Sequence, residues 1–223
     1  MSYRYILAFD PSGNFHEGKG TTGWVVMDHK ENLLERGYIS AKQYRCPEEF
    51  WQAHLDLIDK YHNMYRNNLI VVMEDYVLYR DKSNDQTNSK METCRLLGLM
   101  QWRCWVLKQP YTLQLAASVK VRWSDELLYR ERIIRRDGRN IIHNKSGLSL
   151  GLIHTRDAFR HAIHYAATRN HPSDQTNRDF GYRPKKYVKT RKYKYDMEDD
   201  YNTTDYHDSR YGRNFDNEYD TSW

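Results

Sequence analysis

At 223 residues with 39% hydrophobic content, the chain holds enough apolar material for one sizeable domain and hardly two. Its formal charge of +5 hides a segregation of sign: Arg and Lys dominate from Lys120 to Arg139 and from Arg178 to Lys194, Asp and Glu after Tyr195. Three cysteines (Cys46, Cys94, Cys104) at spacings that fit neither a metal knuckle nor a disulfide framework, no signal-peptide core after Met1 and no apolar run near the roughly 20 residues that span a bilayer lead us to expect a cytoplasmic protein without membrane contact.

The chain opens with strand patterns at Tyr3 to Phe9, Gly23 to His29 and Leu33 to Ser40, short and consecutive enough to predict an antiparallel meander. Pro47 with Glu48 and Glu49 marks a helix start, since proline tolerates the first turn and acids favour the positive end of the helix dipole. Phe50, Trp51, His54, Leu55, Ile58, Tyr61 and Tyr65 then recur at helical spacing up to Asn67-Asn68. Leu69 to Met73 is a continuous apolar run, the pattern of a strand covered on both faces. After a polar loop (Asp81 to Asn88), a helix is predicted from about Ser89 to Leu107, then a strand near Tyr111 to Leu115, a basic helical stretch ending near Arg136, a glycine-containing loop over Asp137 to Leu152, and a last helix from Thr155 to Thr168. The order βββαβαβαα predicts a mixed α/β layer fold over residues 1–170. Residues 171–223 lose aliphatic side chains to Tyr, Asp, Arg, Lys and Asn, a composition expected to stay disordered.

Two of the apolar runs stop on a carboxylate. Asp10 ends Tyr5-Ile6-Leu7-Ala8-Phe9 and Glu74 ends Leu69-Ile70-Val71-Val72-Met73. If these strands are neighbours, both acids emerge side by side, and His154 with Asp157, at i and i+3, share a helix face near them. Carboxylates held that close repel unless a cation neutralises them, and an oxygen-rich set with one imidazole suits Mg²⁺ or Mn²⁺ better than Zn²⁺. Taken singly, Asp10 before Pro11 also reads as a turn former, and His154 with Asp157 as a helix cap pair. Asp75 is expected on the opposite face from Glu74, and His161 and His164 as packed or solvated histidines.

Ile6-Leu7-Ala8-Phe9-Asp10-Pro11-Ser12-Gly13 with Thr22-Gly23-Trp24-Val25-Val26, then Val71-Val72-Met73-Glu74-Asp75, and finally His154-Thr155-Arg156-Asp157-Ala158 with His161-Ala162 resemble, in order and spacing, the motifs of RuvC-type Holliday junction resolvases in the RNase H-like superfamily. Ala117-Ser118-Val119-Lys120 is similar to the stretch that places a DNA-contacting lysine. The resemblance implies an RNase H-like fold with a five-stranded sheet, three strands antiparallel and the rest parallel. It also implies an endonuclease that resolves branched DNA with two Mg²⁺ ions per site, Mn²⁺ substituting, about 3.5–4 Å apart. Asp10 would bridge both ions, Glu74 would hold one, and Asp157 with His154 the other. Lys120 and Arg122 would meet phosphates, and Tyr76 and Tyr79 are the candidates for base stacking, since Val77 stands where some relatives carry an aromatic wedge. Symmetric cuts imply a homodimer, with Leu97, Met100 and Trp105 as candidate anchors and Gly98 permitting close approach. Residues Asn14 to Gly20 read as an insertion, and HxxD replaces the DxxD of some members.

Three readings stay open: a junction resolvase, a flap or branched-DNA nuclease of broad specificity, and a DNA-binding protein without catalysis. The basic, tyrosine-interleaved stretch Arg183 to Lys194 suits nucleic-acid contact, and equally a solubilising tail neutralised by the acids that follow. Small size, abundant Tyr and Asn, and this tail suit a bacteriophage version acting in the host cytoplasm.

Overall fold

The computed structural model describes residues 3–16, 18–76 and 91–168. Strands β1 (Tyr5–Asp10), β2 (Thr21–Asp28) and β3 (Leu33–Ser40) form the meander; β4 (Leu69–Asp75) and β5 (Tyr111–Leu115) extend it, giving a five-stranded sheet of order β3-β2-β1-β4-β5. The first three strands pair antiparallel, whereas β4 lies parallel to β1 and β5 parallel to β4. Each parallel step is bridged by a helix, α1 (Pro47–Tyr65) before β4 and α2 (Glu92–Val106) before β5, as parallel pairing requires a crossover.

Alternation along the strands sorts the core into two layers. Leu7, Phe9, Trp24, Val26, Val71 and Met73 face α1 and α2, packing on Phe50, Ile58, Tyr61, Leu96 and Met100. Ile6, Ala8, Val25, Met27, Ile70 and Val72 face α5 (Ile153–Thr168) through Ala158, Phe159, Ala162 and Ile163. Full burial of an aromatic such as Phe9, Phe50 or Phe159 contributes about 1.5–3 kcal/mol, so the layers stabilise the sheet from both sides. The same alternation sends Asp10 and Glu74 toward α5 and Asp75 toward α2, where its charge raises the Cys94 thiol pKa alongside the larger effect of burial.

Between β5 and α5 the chain departs from the expected basic helix and loop. It makes two short helices, α3 (Ala116–Arg122) and α4 (Asp125–Arg130), and then a hairpin of β6 (Ile134–Asp137) and β7 (Asn140–His143). Helix α4 starts at Ser124, whose Oγ accepts a hydrogen bond from the Leu127 amide. Arg132 at φ +55° ends the helical run, and Gly138 at φ +56° supplies the left-handed residue of the turn. The dipeptide Asp137-Gly138 between Ile134 and the Ile141-Ile142 pair was the hairpin signal, masked by the density of arginines. Helix α5 also begins two residues earlier than expected, so His154 and Asp157 lie within it and are not a cap pair. Val77, Tyr79, the loop Asp81 to Asn88 and the segment 171–223 lie outside the described residues. Among those described, no helix is long and apolar enough to cross a membrane.

One buried histidine gives the fold an acid limit. His54, fully buried, bonds the Phe50 carbonyl through Nδ1 (2.7 Å) and Thr22 Oγ1 through Nε2 (2.8 Å). The carbonyl only accepts, so Nδ1 carries the proton and the Thr22 hydroxyl donates to Nε2; Thr22 in turn accepts from the Ser12 amide (3.0 Å), pinning the loop after Asp10. Burial pushes the His54 pKa down from 6.5 to about 4. Its folded-state value is therefore depressed, so its contribution is whole above pH 6.5 and is lost as pH falls toward 4. Linkage puts the loss near 2 kcal/mol by pH 5, read as a lower urea midpoint than at pH 7.5. His54→Gln is expected to flatten that dependence, and an equally steep profile in the variant would assign it elsewhere.

Candidate active site

Parallel pairing of Phe9 with Met73 brings the ends of β1 and β4 level, which puts Asp10 and Glu74 side by side on the α5 face. Gly23, opposite Asp10 on β2, explains how α5 reaches them: a Cβ there would overlap the backbone carbonyl of His154. This close approach lets His154 Nδ1 donate to Asp10 Oδ2 at 2.7 Å. Thr155, the next residue, fastens the helix start to β3 through the Gly37 carbonyl (3.2 Å). Asp157 lies one turn on, 7% exposed, and His161 another turn on, fully buried. His154, Asp157 and His161 thus line one face of α5 at i, i+3 and i+7.

Four cationic or donor groups hold the three carboxylates. Besides His154, His161 Nε2 bonds Glu74 Oε2 (2.9 Å), and its Nδ1 bonds Gln114 Oε1 (2.9 Å) on β5. Lys120, from α3, sets its ammonium 3.2 Å from Asp157 Oδ2 and 3.8 Å from Glu74 Oε2. Arg160 pairs with Asp157 through one guanidinium nitrogen and with Asp125 Oδ1 through the other (2.6 Å). Asp125 also pairs with Arg156 (3.3 Å).

Burial pushes the Asp10 carboxyl above the usual range, the charges of Glu74 and Asp157 add to that, and the His154 bond opposes it. At Glu74 burial acts the same way, yet the hydrogen bond and charge of His161, the Lys120 ammonium and a hydrogen bond from Asp10 together hold it below its usual value. The neighbouring donors thus bias the two adjacent carboxyls in opposite directions, Asp10 upward and Glu74 downward. The bond to Asp10 raises His154, and the carboxylate charges raise Lys120 against the effect of burial.

Of the residues singled out from sequence, Asp10, Glu74, His154 and Asp157 come together. Lys120 joins them, contacting the carboxylates themselves. Arg122 is exposed at the end of α3. Tyr76 is partly buried against the α1/α2 core layer, and Tyr79 lies outside the described residues. Leu97 and Met100, expected as dimer anchors, are buried in that same layer, and a Cβ at Gly98 would meet no atom of this chain within 4 Å. His161, expected as packed or solvated, is a partner of Glu74. Its spacing of four from Asp157 was the available signal; Gln114 and Asp125 had none, because only strand register and the α4 fold bring them in.

Among the described residues no three His, Cys, Asp or Glu side chains stand ready-made around a cation position. The donor set nevertheless suits a hard divalent ion: three carboxylates and one exposed-edge imidazole, with the Lys120 ammonium now supplying the positive charge between Glu74 and Asp157. Asp10, Glu74, His154 and Asp157 are the residues that would hold it.

No family model and no curated protein sequence matches the chain. Among solved structures, Thermus thermophilus RuvC in complex with Holliday junction substrate is similar over 75% of this chain and 95% of that one, with a TM-score of 0.55 at 14% identity. A second T. thermophilus RuvC structure covers 74% and 95%, with a TM-score of 0.50 and again 14% identity. The chain therefore has the RuvC-like, RNase H-like fold, a mixed sheet of three antiparallel and two parallel strands flanked by helices.

Proposed function

We propose that the protein is a metal-dependent, structure-selective endodeoxyribonuclease that hydrolyses phosphodiester bonds at four-way and other branched DNA junctions. The observation that supports this best is the meeting of Asp10, Glu74 and Asp157 at the carboxyl ends of two parallel strands, kept in place by buried donors and one lysine. Packing a core needs no such cluster, since each buried carboxylate costs desolvation that only its partners offset. The similar solved structure bound to a Holliday junction substrate supports branched DNA as the substrate class.

In this reading two Mg²⁺ ions, for which Mn²⁺ substitutes, would when bound polarise the phosphodiester and stabilise the attacking and leaving oxygens of an in-line displacement. The chain's own residues prepare the site. His154 fixes Asp10, His161 and Gln114 fix the Glu74 carboxylate, Arg160 fixes Asp157, and Lys120 restrains the mutual repulsion of the acids. A near two-fold junction calls for two such sites, so the working species is a homodimer; the outer side of α2, with Trp102 at 53% and Trp105 at 74% exposure, is its proposed contact. The protein is proposed to act in the cytoplasm of a bacterial host, as a bacteriophage enzyme.

The test is cleavage of a labelled immobile four-way junction beside matched duplex, flap and Y-shaped DNA with Mg²⁺, for the native protein and Glu74→Gln. Paired symmetric nicks confined to the junction and lost in the variant are expected. Equal cutting of every branched form points to a broad-specificity nuclease, and binding without cutting to a non-catalytic DNA-binding protein.

A further inference from the structure

The hairpin that replaces the expected loop builds a second feature, separate from the carboxylates. Between β6–β7 and the start of α5 lies a cavity of about 390 Å³ lined by Arg136, Gly138, Arg139, Ile141, Gly151 and Arg156. A fourth guanidinium closes on its wall, since a Cβ at residue 151 would stand 2.9 Å from Arg36 Nη1. Gly151, at φ +61°, has both the conformation and the missing side chain that this space requires.

The cations here differ from the basic residues around them. Arg130 pairs with Glu131, Lys145 with Glu31, and Arg135 donates to Asn144. The guanidinium groups of Arg36, Arg136 and Arg139 have no acidic partner among the described residues. Arg156 has Asp125 at 3.3 Å on one nitrogen, but its Nε is buried without a hydrogen-bond partner. Like charges gathered around a concavity repel, and a buried donor left unmade costs free energy; an anion with several acceptor oxygens relieves both. Guanidinium forks match the geometry of phosphate oxygens, which they bind in bidentate fashion.

We propose that this cavity binds a phosphate group. Resting on the nuclease reading above, that phosphate is one of the DNA backbone outside the bond being cut. Arg156 stands between His154 and Asp157 on α5, so a strand gripped by the hairpin arginines is registered against the carboxylates by the helix that carries both. The hairpin thus sets where a strand lies, and the carboxylates what happens to it.

The test compares two double variants of equal charge: Arg136→Gln with Arg139→Gln inside the cavity, and Arg130→Gln with Lys145→Gln outside it. Junction binding is measured against salt in Ca²⁺, and thermal stability against tripolyphosphate. The cavity variant is expected to bind the junction roughly tenfold more weakly, with a log–log salt slope shallower by about 0.9 for each phosphate no longer neutralised, while the outside variant follows the native protein. Equal weakening in both variants, or none in the cavity variant, would overturn the proposal. If the native protein does not bind the junction, the nuclease reading fails by itself. Stabilisation by tripolyphosphate that is absent from the cavity variant alone then still supports a phosphate site, and no stabilisation of the native protein overturns it.

Discussion

Replacement of Asp10 by Asn is expected to abolish cleavage, by at least about 10²–10³-fold, the scale of losing one preorganised electrostatic group, while leaving junction binding intact or tighter. The geometry adds a less usual expectation. An asparagine keeps an acceptor for His154 in its amide carbonyl and removes one of the three mutually repelling acidic groups buried here. The variant should therefore be more stable than the native protein, by about 1 kcal/mol, or roughly 2–4 °C in Tm for a chain of this length. Stability gained where activity is lost is the mark of a site held in a costly arrangement for function. Cleavage near the native rate would remove Asp10 from the chemistry, and a lowered Tm would show that its charge is needed for the fold instead.

Gly23→Ala is expected to be the most damaging single-methyl change in the described chain. Its added carbon would meet backbone atoms of His154 and Thr155, which are held in turn by the Asp10 and Gly37 bonds, so no flexible side chain can yield. Overpacking of this kind costs about 3 kcal/mol, a fall of roughly 6–12 °C in Tm. Activity measured well below the new midpoint should fall further than stability does, because α5 must move off β2 and take His154 and Asp157 from Asp10. The informative comparison is Gly98→Ala, whose Cβ meets nothing within 4 Å and which removes an exposed helical glycine, so that it should be neutral or slightly stabilising. Similar behaviour of the two variants would contradict the assigned role of Gly23.

Much of this site was legible in the chain. Continuous apolar runs that stop on Asp10 and Glu74 are a signal that survives without knowing the fold. His154 and Asp157 were legible through helical spacing once the others were noticed. Less legible were features set by distant register: Gln114 reaches His161 only because β5 pairs with β4 in step, and Lys120 meets Asp157 only because α3 follows β5 without a spacer. Up to about Arg136 the arginines raised helix expectation, and the Asp137-Gly138 turn was absorbed into the loop expected after it. On α2 the obstacle was different, since the apolar stripe of Leu97 and Met100 reads alike whether it meets a second subunit or its own sheet.

The order in which the site residues occur has a consequence for biosynthesis. Asp10 and Glu74 leave the ribosome early, but His154 and Asp157 lie on the last described helix, which also brings Ala158, Phe159, Ala162 and Ile163 to the core layer over Ile6, Ala8, Ile70 and Val72. A partly synthesised chain therefore has neither a finished core nor a complete ligand set. On the proposed nuclease reading, competence to cut nucleic acid arrives in one step with folding, and an unfinished chain is harmless to the templates and messages around it.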